Sequence, residues 1–226
     1  SSRLPGKPLL KFGEFNMIQR VYKQTIKAKL IKKVYVVTDD ERISDSIKQI
    51  NGNVIMVKEN CINGTERICI ALEKLKDKYD LIVNVQGDEP FIYPQNIDLA
   101  IQKMIDCKNK DCVCTTLHYQ IKDMNELTNT NIGKMVLDKS NYILYCSRNC
   151  IPFNKSNNFK NGKYYAHIGL FVFKPEYLKK YMLENTPNQL EEDIEWLKIL
   201  EQGYKILSCL VKDFEIGVNT KEDFNF

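Results

Sequence analysis

Leu81-Ile82-Val83-Asn84-Val85-Gln86-Gly87-Asp88-Glu89-Pro90 is the stretch from which the rest of the chain can be read. Its apolar half is too short for a helix, and its Ile and Val content suits a buried strand. The polar half then marks where that strand leaves the sheet. Gly87 permits a tight turn and Pro90 ends strand pairing. In open α/β sheets the carboxyl edge of the strands is where ligands sit. Asp88 and Glu89 are therefore expected to face a ligand zone able to hold a hard cation and a polyphosphate together. A plain strand exit with two solvated acids is the competing reading of these ten residues alone.

Upstream, Ile18, Val21, Tyr22 and Ile26 recur at helical spacing and predict a helix over 15–29. Residues 33–38 read as a strand, 41–50 as a helix, and 54–57 as a strand after the Asn51-Gly52 turn. Asn63-Gly64-Thr65-Glu66-Arg67 leads into a helix through about Lys78, and another helix runs from Pro94 to about Cys107. This alternation implies right-handed βαβ crossovers and a mostly parallel sheet. The second half is richer in strand, with segments at 113–119, 135–138, 142–147 and 167–173. Residues 120–132 and 153–163 look like loops or a flap. A helix over 190–202 stops at Gly203, residues 204–211 form a last strand, and Thr220 is placed to cap a short terminal helix.

With 226 residues and 43% hydrophobic content, one α/β domain is expected, with no membrane-spanning run. The 33 basic against 29 acidic residues give +4, too mild and too dispersed for a nucleic-acid surface. Eight scattered cysteines without a Cys-x-x-Cys pair argue against zinc and for reduced thiols in an intracellular protein, and a cytoplasmic setting is the expectation. Neither a P-loop nor a Gly-x-Gly-x-x-Gly fingerprint occurs. Arg3-Leu4-Pro5-Gly6-Lys7, however, joins two cations to a Pro-Gly turn whose backbone N–H groups can form an anion nest.

These stretches occur in a recognisable order. Ser-x-Arg-Leu-Pro-Gly-Lys-Pro-Leu, Gly-Thr-Glu-Arg, Asn-Val-Gln-Gly-Asp-Glu-Pro, Tyr-x-Ser-Arg-x-x-Ile-Pro and His-Ile-Gly together resemble the CMP-Kdo synthetases, the 3-deoxy-manno-octulosonate cytidylyltransferases. The likeness runs from Ser1 to about Asp223. It implies one Rossmann-like, three-layer nucleotidyltransferase domain over 1–226, with a strand-rich sugar-binding and dimerisation region at about 113–173. The family's first strand would lie upstream of Ser1. The implied reaction joins CTP and Kdo into CMP-Kdo and pyrophosphate, with Mg²⁺ as cofactor and a homodimer as the assembly. The product would serve lipopolysaccharide or cell-wall polysaccharide synthesis.

The resemblance also implies roles. Arg3 and Lys7 would hold the β- and γ-phosphates, with Asp88 as the metal carboxylate; these three form the catalytic set. Gly64, Thr65, Arg67 and Gln86 would frame cytosine and ribose. Arg148, His167, Gly169 and Glu195 would surround the sugar acid, Arg148 pairing with its carboxylate. Lys134 and Ser147 occupy matching positions, where each also reads as a solvated surface group. Two departures stand out. Asn219 replaces the family's second metal aspartate, and Trp196 replaces a glutamine of the late helix. They keep two alternatives open, a cytidylyltransferase for another sugar acid (a nonulosonate or amino-Kdo) and a non-catalytic CTP-binding homologue.

Overall fold

The computed structural model describes residues 6–156, 159 and 164–213. The first half alternates as the sequence predicts. A short hairpin, β1 (Lys11–Phe12) and β2 (Phe15–Asn16), leads into α1 (Met17–Thr25), where Asn16 and Gln19 form a reciprocal capping box. β3 (Val36–Thr38), α2 (Glu41–Lys48) and β4 (Val54–Met56) follow, with β3 and β4 parallel. Then come α3 (Gly64–Glu73), β5 (Ile82–Val85) and α4 (Pro94–Asp106). α3 ends at Glu73, several residues short of the expected Lys78.

The central sheet differs from expectation. β6 (Cys112–Gln120), β7 (Lys134–Leu137), β8 (Ile143–Ser147), β9 (Tyr165–Phe173) and β10 (Lys205–Leu210) are ordered β10-β6-β9-β7-β8, with β5 also on β9. Only β6–β10 is parallel in this six-stranded sheet; β9 runs antiparallel to β5, β6 and β7. The expectation of a mostly parallel central sheet is therefore corrected to a mixed one. Apolar periodicity reports burial, and β9 is buried on both faces whichever way it runs.

β9 organises the layers. Along one edge it pairs with β6; along the other it is shared between β7 near Ala166 and β5 from Leu170 to Phe173. Its register with β6 slips between Thr116 and Leu117, so Gly169 and Leu170 are extra residues on β9. Side chains then alternate across the sheet. Leu170 and Val172 pack with Ile97, Ala100 and Met104 of α4. Phe171 and Phe173 pack on the other face with α6 (Pro175–Tyr181) and α8 (Leu197–Glu201). This is the three-layer arrangement, and each fully buried Leu or Phe stabilises it by roughly 1.5–3 kcal/mol.

Two helices lie where loops or nothing had been expected. α5 (Met124–Thr128) is capped by Asp123, whose side chain accepts the Glu126 N–H. α6 begins with Pro175 at its first turn. The helix expected over 190–202 is broken into α7 (Pro187–Glu192) and α8, because Asp193 takes a left-handed conformation at φ 50°. That break releases Glu195 and Trp196 from a regular helix.

One gap remains. Among the described residues, β3 has a strand neighbour only at β4, and β5 only at β9. An elongated cavity of 1480 Å³ passes Val36 and Val37 of β3 and Ile82, Val83 and Val85 of β5. It opens at one end into the site described next. No helix among the described residues is long and apolar enough to cross a membrane.

Candidate active site

Lys7 reaches the site through backbone geometry. Gly6 is left-handed (φ 73°), and its carbonyl accepts the Leu9 N–H, so the chain turns sharply at Lys7. The Lys7 side chain is 8% exposed and its Nζ lies 2.9 Å from Asp88 Oδ2. The opening turn and the lip of β5 thus meet across a sequence separation of 81. Arg3 and Asn219 lie outside the described residues.

The two carboxylates after Gly87 diverge. Asp88 is one-third exposed and faces Lys7 in the cavity. Glu89 turns beneath it, where Oε1 accepts the Gly169 N–H at 2.8 Å. Burial, reinforced by the charge of Asp88, pushes the Glu89 carboxyl up to about 8. The expectation that both acids face the ligand zone is corrected for Glu89, which closes the floor. Gly169 is needed for that approach, since a Cβ there would sit 2.7 Å from Glu89 Oε1.

Gly64, Thr65 and Gln86 come together at the N-terminus of α3, and Glu195 joins them. The Thr65 N–H donates to Glu195 Oε2 at 3.2 Å, and Gln86 Nε2 donates to Glu195 Oε1 at 3.1 Å. A carboxylate suits this helix end, whose free N–H groups carry partial positive charge. Burial raises the Glu195 carboxyl above its ordinary range, opposed by those hydrogen bonds. Glu195 therefore orients Gln86 and meets the proposed nucleotide residues, rather than standing only among the sugar ones. Arg67 stands at the rim, bonded to the Val57 carbonyl (2.8 Å) and paired with Asp39 (3.0 Å).

On the opposite wall, the His167 ring meets Trp196 edge-on at 4.1 Å. Burial drops His167 to about 4, so the ring is neutral near pH 7. Its Nδ1 is buried and meets no side-chain hydrogen-bond partner among the described residues. Gly133 packs against it so closely that a Cβ would fall 2.8 Å from Cδ2. Trp196 also donates Nε1–H to Cys146 Sγ at 3.0 Å, which fixes the indole. The Arg148 guanidinium donates to the carbonyls of Glu192 (2.7 Å), Thr130 (3.1 Å) and Asp193 (2.7 Å). It also pairs with the Asp193 carboxylate at 3.3 Å, so it is chiefly engaged with the chain itself. Lys134 and Ser147 are buried, which removes their reading as solvated surface groups. Gly133 and the floor role of Glu89 escaped the sequence; the short side of Gly133 becomes visible only once β7 and β9 are paired.

The donor set suits a metal that keeps water and phosphate oxygens. Among the described residues no group of three or more His, Cys, Asp or Glu side chains could enclose an ion. Asp88, a partly exposed carboxylate lining the cavity beside Lys7, fits a hard divalent cation bound through one or two carboxylates plus phosphate oxygens.

Comparison with known proteins identifies the family. The family pattern described as Cytidylyltransferase matches residues 1–208. A 3-deoxy-manno-octulosonate cytidylyltransferase of Protochlamydia amoebophila is 40% identical, over 100% of this chain and 88% of that protein. The mitochondrial 3-deoxy-manno-octulosonate cytidylyltransferase of Arabidopsis thaliana is 41% identical, over 99% of this chain and 77% of its own length. The solved structure of a CMP:2-keto-3-deoxy-manno-octonic acid synthetase complexed with CTP superposes with a TM-score of 0.88 at 30% identity, covering 99% and 90% of the two chains. On the strength of these matches, the chain belongs to the 3-deoxy-manno-octulosonate cytidylyltransferase family.

Proposed function

We propose that the protein transfers CMP from CTP to Kdo. The anomeric hydroxyl of the sugar acid attacks the α-phosphorus, the α–β phosphoanhydride bond breaks, and pyrophosphate leaves. The observation that carries this reading is the Lys7–Asp88 contact at 2.9 Å, in the cavity that also receives the α3 N-terminus and Gln86. Lys7 supplies a point charge for phosphate oxygens, and Arg3 is assigned with it from the family pattern. Asp88 would hold Mg²⁺, with Asn219 as a further oxygen donor; the ion supplies charge neutralisation on the triphosphate. Gln86, held through its Nε2 by Glu195, keeps its carbonyl oxygen for the cytosine amino group. His167, Gly133, Gly169 and Trp196 wall the sugar side, and neutral His167 can accept from or donate to a hydroxyl.

A homodimer, a cytoplasmic setting and use of the product in lipopolysaccharide or cell-wall polysaccharide synthesis complete the proposal. Leu144 on β8 and Phe153 nearby, both exposed, support a contact surface in the 142–173 region. Trp196, which replaces a glutamine of the family pattern, keeps one alternative in view, a different sugar acid. Incubation with CTP, Mg²⁺ and a panel of sugar acids, with pyrophosphate as the readout, tests the assignment. Release with Kdo is expected; release only with a nonulosonate or amino-Kdo would transfer the assignment to that acid.

A further inference from the structure

Lys134 opens β7 with its side chain fully buried. Its ammonium makes no ion pair with a carboxylate among the described residues. Instead it donates to three backbone carbonyls, those of Asn129 (2.9 Å), Ile132 (2.8 Å) and Arg148. Three donors meeting three acceptors satisfies the group completely. A buried cation without a counter-charge is nevertheless costly. An apolar side chain would fill the same space without that cost, so the value of the cation lies in what it fixes.

What it fixes is one wall of the site. Asn129 and Ile132 belong to the loop that delivers Gly133 against His167. The Arg148 carbonyl belongs to a residue whose guanidinium returns to Thr130 in the same loop and reaches Glu192 and Asp193. The Glu192 carboxylate in turn accepts from Ser147 Oγ (2.6 Å) and the Arg148 N–H (2.8 Å). Glu192 and Asp193 lead directly into Glu195 and Trp196. Two cations spent on carbonyls thus tie the 129–133 loop, the end of β8 and the 192–196 stretch into one unit. None of the Lys134 bonds goes to Lys7, Asp88 or the start of α3.

We propose that Lys134 is a positioning residue for the sugar-acid subsite, setting the spacing of Gly133, His167 and Trp196 through the 129–133 loop and Arg148. The inference rests on the Kdo-transfer reading of the same site. It distinguishes the two substrates, because Lys134's own bonds end on the 129–133 loop and Arg148, and the nucleotide side is met only at a remove, through Glu195.

The test is steady-state pyrophosphate release with Kdo and CTP varied separately, alongside calorimetric titration of CTP without sugar. Lys134→Met should raise KM for Kdo by about 10-fold or more while KM and Kd for CTP stay within about 2-fold. Lys134→Arg retains a cation and donors in a different geometry, and should restore part of the loss. Unchanged Kdo kinetics, or Kdo and CTP constants that worsen together, would overturn the inference. Should Lys134→Met fail to fold, Lys134→Arg carries the test alone, with the same selective rise expected at about 3-fold and equal constants overturning it. Failure of the wild-type protein to act on Kdo would instead refute the activity reading, a separate outcome.

Discussion

Gly133 shows how one missing methyl group can set a subsite. A Cβ 2.8 Å from His167 Cδ2 must displace the ring, which is itself wedged on Trp196. Gly133→Ala is expected to raise KM for the sugar acid by about 10-fold with little change for CTP, read by the same separate titrations. His167 and His118 carry a second residue-scale prediction. Burial lowers both to about 4 from an ordinary 6.5, so the unfolded chain binds more protons than the folded one between those values. Their contribution to stability is thus complete above about pH 6.5 and is lost as pH falls toward 4. Thermal melts should show Tm falling across that window. A flat Tm from pH 7 to 4.5 would contradict neutral, buried imidazoles. At this scale the sequence exposed Asp88, Gln86 and His167 through short ordered motifs. It did not expose Glu89 as the floor, because the direction of a side chain after a turn depends on Gly169, 80 residues away.

Among the elements, the break between α7 and α8 matters most for function. Thr186-Pro187-Asn188-Gln189 is a capping box with proline at the first helical position, a start signal present in the sequence. The stop at Asp193 is harder to see, since aspartate tolerates the left-handed region without requiring it. Asp193→Gly should therefore be tolerated, whereas Asp193→Val should cost about 1–2 kcal/mol and misplace Glu195, measurable by urea unfolding and by KM for both substrates. A continuous helix would instead carry the valine without loss. The strands tell a similar story. Positions of β5, β6 and β9 were legible from their apolar runs, but their direction was not. It is fixed by pairing between segments such as Val83 and Val172, which no local pattern encodes.

For the whole molecule, the open edges of β3 and β5 make a prediction about dynamics. The Val36 N–H pairs across to Asn53, so by alternation the Val37 N–H points into the groove. In the 1–226 chain, Val37 and the groove-facing amides of β5 should exchange hydrogen much faster than those of β9. An added extended segment that pairs there should protect them, and equal protection without it would show that the edges are already closed. The groove leads directly to the site, so the order of that end of the sheet bears on how firmly Lys7 and Asp88 are held. The central claim is that those two residues handle one triphosphate during CMP transfer. Asp88→Asn, nearly isosteric, measures it most directly through pyrophosphate release under saturating CTP, Kdo and Mg²⁺, with circular dichroism confirming the fold. The predicted result is a fall in kcat of at least about 100-fold, ~2.7 kcal/mol of transition-state stabilisation, in a folded protein. A kcat within about 2-fold of wild type would contradict it.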